Sequence, residues 1–333
     1  MHQKVSDEYP ELTHYTSASG LKGILESQCL WASHARFLND TKEIDYIFEA
    51  KCTALITESI TEGLRAGKLQ YQEQPAAPRL QAALEDAVRA AAELTSAVRR
   101  TTLAFNQPHL LSLCGTSDLR VMRDGLLSQW RAYGRDGGYA LVLDPKRLED
   151  RLEIEAAAFH YQHMQIGNVH YHDEDATSDT PEPEIREAEA SLRAGVLRYC
   201  QDPRPETLED FYIPVTTLCC LYKHWGFHEE HEVRVVAIPA HASLVEETAK
   251  QAATGPPKQI KTFLRDGCLV PYIELLAPTS NGKPKVPLPV TRVLVGPHRD
   301  AERRRAAITH MLNVNGLKWP VEVSRIPFIG NIQ

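Results

Sequence analysis

The 333-residue chain contains no C-x-x-C pair, no H-E-x-x-H motif, no internal repeat and no run of about 18 apolar residues. Each absence removes a class of protein. Without a long apolar run there is no candidate membrane span, and the opening MHQKVSDEYPE lacks the apolar segment of a secretory signal. The cysteines (Cys29, Cys52, Cys114, Cys200, Cys219, Cys220 and Cys268) stand singly apart from one vicinal pair. An odd number without metal-ligand spacing points to buried thiols in a reducing cytoplasm, not to disulfides or a structural zinc. A formal charge of -7 argues against wholesale binding of a polyanion, while leaving room for a local basic groove.

What is present is enough apolar material for a proper core, 43% of the residues. Strand signals come in short pieces, at Leu12–Thr16, Leu30–Ala32, Leu110–Cys114, Tyr139–Asp144, Asn168–His172, Glu232–Pro239, Leu269–Leu275, Arg292–Gly296 and Val321–Ile326. Helical periodicity covers Ser19–Ser27, Lys42–Leu64, Arg79–Ala104, Gly125–Tyr133, Pro181–Cys200, Glu206–Lys223 and Ala301–Asn315. Strands and helices interleave without a steady βαβ rhythm, so the expected fold is α+β with a mixed, largely antiparallel sheet. We read one domain over residues 1–333, with a helical insertion at about 42–105 and an acidic solvated loop at about 173–184.

Several polar groups are not demanded by core periodicity. In His14-Tyr15-Thr16-Ser17 a strand puts His14 and Thr16 on one face and Tyr15 on the other. His14 is then either a sheet-edge ligand for a ribose or base, or a hydrogen-bonded strand-end histidine. Asn39-Asp40 with Glu43 reads as a helix start, Asp40 capping and Glu43 closing a capping box, which leaves Asn39 as a binding candidate. Trp130, Arg131 and Tyr133 fall within one helical turn before the loop Gly134–Gly138, where an aromatic face suits a stacked base or a core contact.

The densest stretch is KHWGFHEEHEVRVVAIP, Lys223–Pro239. Its histidines suggest zinc, yet His228 and His231 lie three apart where the helical metalloprotease pattern needs four. More informative is Glu232-Val233-Arg234, whose alternation pairs a carboxylate with a guanidinium on one face of a strand. Such a pair aims a catalytic carboxylate or serves structure alone. His170 and His172 form a second i, i+2 histidine pair, on a predicted strand.

Taken in order, the stretches His14–Glu43, Trp130–Asp144, Lys223–Val236, Val293–Glu302 and Val321–Phe328 closely resemble the bacterial domain of unknown function 2971. They carry HYTS, GL, IL, LW and LND, then W..Y with AL.LD, then KH..F with EVR, then VGP, and last SRIPF. More weakly, the opening strand and helix resemble ADP-ribosyltransferase-type proteins, including enzymes that modify DNA bases and RNA 2'-phosphotransferases. That second resemblance implies an ADP-ribosyltransferase-like sheet core. It also implies a strand histidine on the NAD ribose, an aromatic residue stacking nicotinamide, and a glutamate on a later strand. Here those roles would fall to His14, to Tyr133 or Tyr139, and to Glu232.

The resulting expectation is a cytoplasmic NAD-consuming transferase or glycohydrolase of the bacterial toxin or phage-defence kind. NAD would be a substrate and not a resident cofactor, no metal would be needed, and the acceptor would be nucleic acid or protein. Glu232 and His14 would be catalytic, and Tyr15, Asn39, Trp130, Arg131, Tyr133, Tyr139 and Arg234 would contact substrate. His14, Trp130, Tyr133, Glu232 and Arg234 should therefore converge on one cleft. Two other classes remain open: a metal-dependent nucleic-acid or nucleotide hydrolase built from His170, His172, His224, His228 and His231, and a non-enzymatic nucleotide sensor.

Overall fold

The computed structural model describes residues 4–38, 43–69, 85, 88–89, 91–100, 107–133, 137–172, 181–204, 206–207, 210–240, 255–265, 267–277 and 286–327. Asn39, Asp40, Gly134–Asp136 and most of the acidic loop fall outside these residues. The chain gathers into two compact units, Met1–Ser33 with Leu110–Asn168 and Gly226–Gln333, and His34–His109 with Val169–Trp225. No helix among the described residues is long and apolar enough to cross a membrane.

The first unit is built on a ten-stranded sheet in the order β12-β11-β4-β1-β3-β2-β10-β9, with β8 added to β3 and β5 to β8. The strands are β1 Leu12–Thr16, β2 Leu30–His34, β3 His109–Gly115, β4 Tyr139–Leu143, β5 Tyr161–Asn168, β8 Glu232–Pro239, β9 Lys261–Arg265, β10 Cys268–Leu275, β11 Val290–Val295 and β12 Val321–Val323. Pairing is antiparallel at β1–β3, β1–β4, β4–β11, β5–β8, β2–β10 and β9–β10, and parallel at β11–β12. The expected α+β class with a largely antiparallel sheet is what the chain adopts.

Local chemistry explains the helices that cover this sheet. Helix Ala18–Ser27 starts where the Ser17 hydroxyl accepts from the Gly20 N–H, and it buries Leu21, Ile24 and Leu25 at helical spacing. It stops at Gln28, whose φ of 54° is left-handed and whose side-chain amide donates to the Leu25 carbonyl. Helix Pro145–Ala158 was not read from the sequence. Its signal was there, however, in an Asp144 cap accepting from the Arg147 N–H and a proline at the first helical position. Strand β5 was missed because YQHMQIGN has no apolar run, and the strand expected at Asn168–His172 is divided between its end and a separate strand β6, His170–His172.

Alternation then divides the unit into two faces. Leu12, Leu111, Leu113, Tyr139, Leu141, Leu143, Val233, Val235, Ala237, Val293 and Val295 pack in one cluster with the helix residues Leu21, Leu25, Leu148, Leu152, Ile308 and Leu312. Tyr15, Cys114, Trp130, Ala140 and Leu294 form a second cluster. Because partners in register point to the same side, the first set lies on one face and the second on the other.

The second unit is mainly helical, with helices Glu43–Ile47, Thr53–Arg65, Pro183–Gln201 and Tyr212–Leu221, a π turn at Phe48–Cys52 and helical residues 91–100. Its two strands, β6 His170–His172 and β7 Tyr222–His224, pair in parallel. Arg99 bonds both Asp45 and Glu49, which ties residues 91–100 to the start of this unit.

The expected VGP and SRIPF stretches are explained by close packing in the first unit. The Ser324 hydroxyl and the Trp130 indole N–H both donate to the Asp124 carbonyl, and the Arg325 N–H donates to the Asp124 carboxylate. Gly296 donates its N–H to the Gly138 carbonyl, and a Cβ at 296 would stand 1.6 Å from the Gly137 carbonyl oxygen. Backbone cannot give way as a flexible side chain does. Gly296→Ala should therefore lower unfolding stability by about 1–3 kcal/mol or more, which chemical denaturation measures directly. A neutral result would show that the Gly137–Gly138 loop yields.

Candidate functional site

Strand β8 is buried along its whole length, yet it carries a carboxylate and a guanidinium. The Arg234 Nε and Nη2 donate to the two Glu232 oxygens at 2.8 and 2.9 Å, and both side chains are over nine-tenths buried. This is a fork-to-fork pairing with fixed orientation. Its position is set by His231, which precedes it with a left-handed φ of 45° and whose carbonyl accepts from the Gly115 N–H on β3. A histidine in that region is strained, and the strain sits at the turn between the 3-10 stretch Trp225–Glu230 and β8. The H-E-E-H run is thus not α-helical, a second reason beyond spacing that it does not reproduce the metalloprotease motif.

Glu232 and Arg234 share the face of the Tyr15–Trp130 cluster. Val233, Val235 and Ala237 point to the opposite, apolar face, and Cys114 of the Tyr15 cluster feels the charge of Glu230 and Glu232. Burial first, and then those two carboxylates, push the Cys114 thiol up to about 12. It is a neutral thiol and no nucleophile.

His14 does not join them. It stands in register with Leu141 on the face of Leu12 and Leu143, across the sheet from Glu232. Its Nδ1 lies 3.0 Å from the Ser112 carbonyl, and burial holds its pKa below the ordinary histidine value against the raising effect of that bond. Tyr139 is on His14's face too, buried in the apolar cluster. The expected convergence of five residues on one cleft therefore fails on parity: residues 14 and 232 are committed to opposite faces by their strands' registers.

Tyr15 and Trp130 are on the Glu232 face but are occupied in packing. Their rings meet edge-on at 4.8 Å, the Tyr15 hydroxyl accepts from the Leu126 N–H, and Trp130 is only 1% exposed. Trp130 is a core residue. Arg131 and Tyr133 are exposed at the end of helix Leu127–Tyr133, and Asn39 lies outside the described residues.

Two residues that sequence reading passed over belong to this face. In the β5–β8 register His163 pairs with Ile238, Gln165 with Val236 and Gly167 with Arg234, so His163 and Gln165 point to the side of Arg234. The Nε2 atoms of both are buried without a hydrogen-bond partner. The only sequence signal was polarity at alternate positions of Tyr161–Asn168.

The histidines of the hydrolase alternative are partly assembled in the second unit. His172 stands opposite His224 on β6–β7, and His170 bonds Glu182 at 2.7 Å and meets Tyr222 edge-on. Among the described residues no group of three or more His, Cys, Asp or Glu is arranged to hold a metal ion. Elsewhere in this unit the His34 and His109 rings meet edge-on at 5.3 Å. Burial, chiefly, lowers both to about 4.

Their sign for stability follows from linkage. The folded pKa lies below the unfolded one, so between the ordinary 6.5 and about 4 the unfolded chain binds more protons, and stability falls as pH falls through that window. Denaturant midpoints should drop steeply between about pH 6.5 and about pH 4.5. His34→Asn keeps an acceptor for the Arg36 N–H but has no proton to gain, and should flatten the slope. A slope unchanged by that substitution would assign the acid sensitivity to other groups.

No curated protein and no solved structure matches the chain. Residues 129–235 do match a family model, described as a protein of unknown function, DUF2971. The matched span runs from the helix that carries Trp130 through β4 and β5 to Arg234 and Val235. Over those residues, which hold both partners of the buried ion pair, the chain is similar to the DUF2971 family.

Proposed function

We propose that this protein is an NAD-consuming transferase or glycohydrolase whose reaction centre is the Glu232 carboxylate. The observation that supports the reading is a buried carboxylate held by a bidentate guanidinium on a sheet face that also carries polar atoms with open hydrogen-bonding capacity. Cleavage of the nicotinamide–ribose bond sends the bonding electrons to the pyridinium nitrogen and leaves positive charge on the ribose C1' and ring oxygen. A preorganised carboxylate in a water-poor setting stabilises that charge. Water or an acceptor hydroxyl or amine then bonds to C1' and gives up its proton. Arg234 holds the carboxylate in one orientation, so no reorganisation is needed as charge develops.

His14 has no part in this centre, since it faces the other side of the sheet. Tyr15 and Trp130 pack on each other on the same face as the centre. A toxin or phage-defence setting fits an activity that depletes NAD, and the acceptor, nucleic acid or protein, is left to the assay below.

Incubating purified protein with NAD and following nicotinamide release by mass spectrometry tests the reading. Glu232→Gln should keep the fold and lose turnover by roughly 100-fold or more. Arg234→Ala should lose both activity and about 3–5 kcal/mol of stability, because it strands a buried carboxylate. A folded, fully active Glu232→Gln protein, or a wild-type chain that leaves NAD intact, would overturn the proposal.

A further inference from the structure

We infer that the end of the sheet where β4 starts and β11 stops is a docking surface for the backbone of a single-stranded nucleic acid. Register sets the place. Val295 pairs with Tyr139, so the turn before β4 and the loop after β11 lie side by side, and the Gly296 N–H donates to the Gly138 carbonyl. Arg303 and Arg304 stand early in helix Ala301–Val314, which follows that loop. Arg131 joins them from helix Leu127–Tyr133, whose Trp130 is so close that a Cβ at Gly296 would meet its ring at 2.8 Å.

The charges at this end do not balance. Its acidic groups are held by other arginines: Asp300 by Arg299 at 3.4 Å, Glu302 by Arg305 at 2.7 Å, and Asp124 by Arg123. Among the described residues, Arg131, Arg303 and Arg304 pair with no carboxylate. Arg131 and Arg303 are exposed. Arg304 is half-buried, and its Nη1 lies 3.0 Å from where a Gly137 side chain would begin. Gly137 has a φ of 98°, which favours glycine, and so leaves the guanidinium its room. A chain with a formal charge of -7 therefore keeps a local positive surplus here.

Arginine suits phosphate, because its planar fork offers paired N–H donors to two oxygens and stays charged at every working pH. A carboxylate meets the same fork, so charge alone does not separate nucleic acid from an acidic protein. The ring beside these cations does. Tyr133 is 37% exposed on the last turn of the helix that carries Arg131, where an unpaired base can stack and an acidic side chain gains little. Exposed arginines around an exposed ring match single-strand binding, in which phosphates supply affinity and bases lie on aromatic faces. The surface stands without the catalytic reading. On that reading it brings in a nucleic-acid acceptor.

The test is fluorescence anisotropy of a labelled oligodeoxythymidine with the full chain and no NAD, over a range of salt. Binding should weaken with salt, log K falling against log salt with a slope of about -2 for three phosphates on a single strand. Arg131→Ala and Arg303→Ala should each make that slope shallower by about 0.7. Both should leave the melting temperature unchanged, since the side chains are exposed and bear no ion pair. Tyr133→Leu should lower affinity about fivefold or more at every salt concentration with the slope intact, which separates stacking from charge. Lys146→Ala, which removes an exposed cation on helix Pro145–Ala158, should change neither affinity nor slope. No binding at low salt, a slope that the two arginine substitutions leave alone, or equal affinity for polyglutamate overturns the docking surface. Because the assay contains no NAD, each of those failures leaves the Glu232 reading to its own experiment.

Discussion

The bond between Glu232 and Arg234 is the constraint around which the site is organised. Two charges taken out of water cost more than their attraction returns unless their geometry is good and their remaining bonds are met. A two-pronged bond between residues two apart on one strand gives that geometry. It also commits the strand. With Glu232 and Arg234 on one side, Val233, Val235 and Ala237 must lie on the other, and these enter the larger apolar cluster. A slip of one residue would put both charges into that cluster.

The same parity sorts the candidate residues. Tyr15, Cys114 and Trp130 share the ion pair's face, where their edge-on rings and shared hydrogen bonds make a rigid support. His14 and Tyr139 fall on the other face. The proposed centre is therefore one-sided. It sits on β8, which pairs with both β3 and β5 outside the main strand order.

The match to the DUF2971 model covers residues 129–235, and its ends are informative. The match begins at the helix that carries Trp130 and stops just after Arg234. It thus includes Trp130, His163, Gln165, Glu232 and Arg234, and leaves out His14. Both members of the ion pair that the proposed chemistry uses lie inside the matched segment.

Local rules alone determined several parts of this protein. The spacing of Leu21, Ile24 and Leu25 after Ser17 makes a helix, and Glu-Val-Arg-Val-Val on a strand sets carboxylate and guanidinium side by side. Both outcomes depend on dihedral periodicity and on partners two to four residues away, so the sequence by itself contains them. Which candidates share a face does not. Single strands show that His14 opposes Tyr15 and that Glu232 opposes Val233, but only pairing through β3 and β4 decides that His14 lies with Val233 and not with Glu232. The role of β5 was hidden for the same reason. Its alternation is carried by Met164 and Ile166 alone, too short a signal among polar residues, so Tyr161–Asn168 shows what it is only once β8 pairs with it.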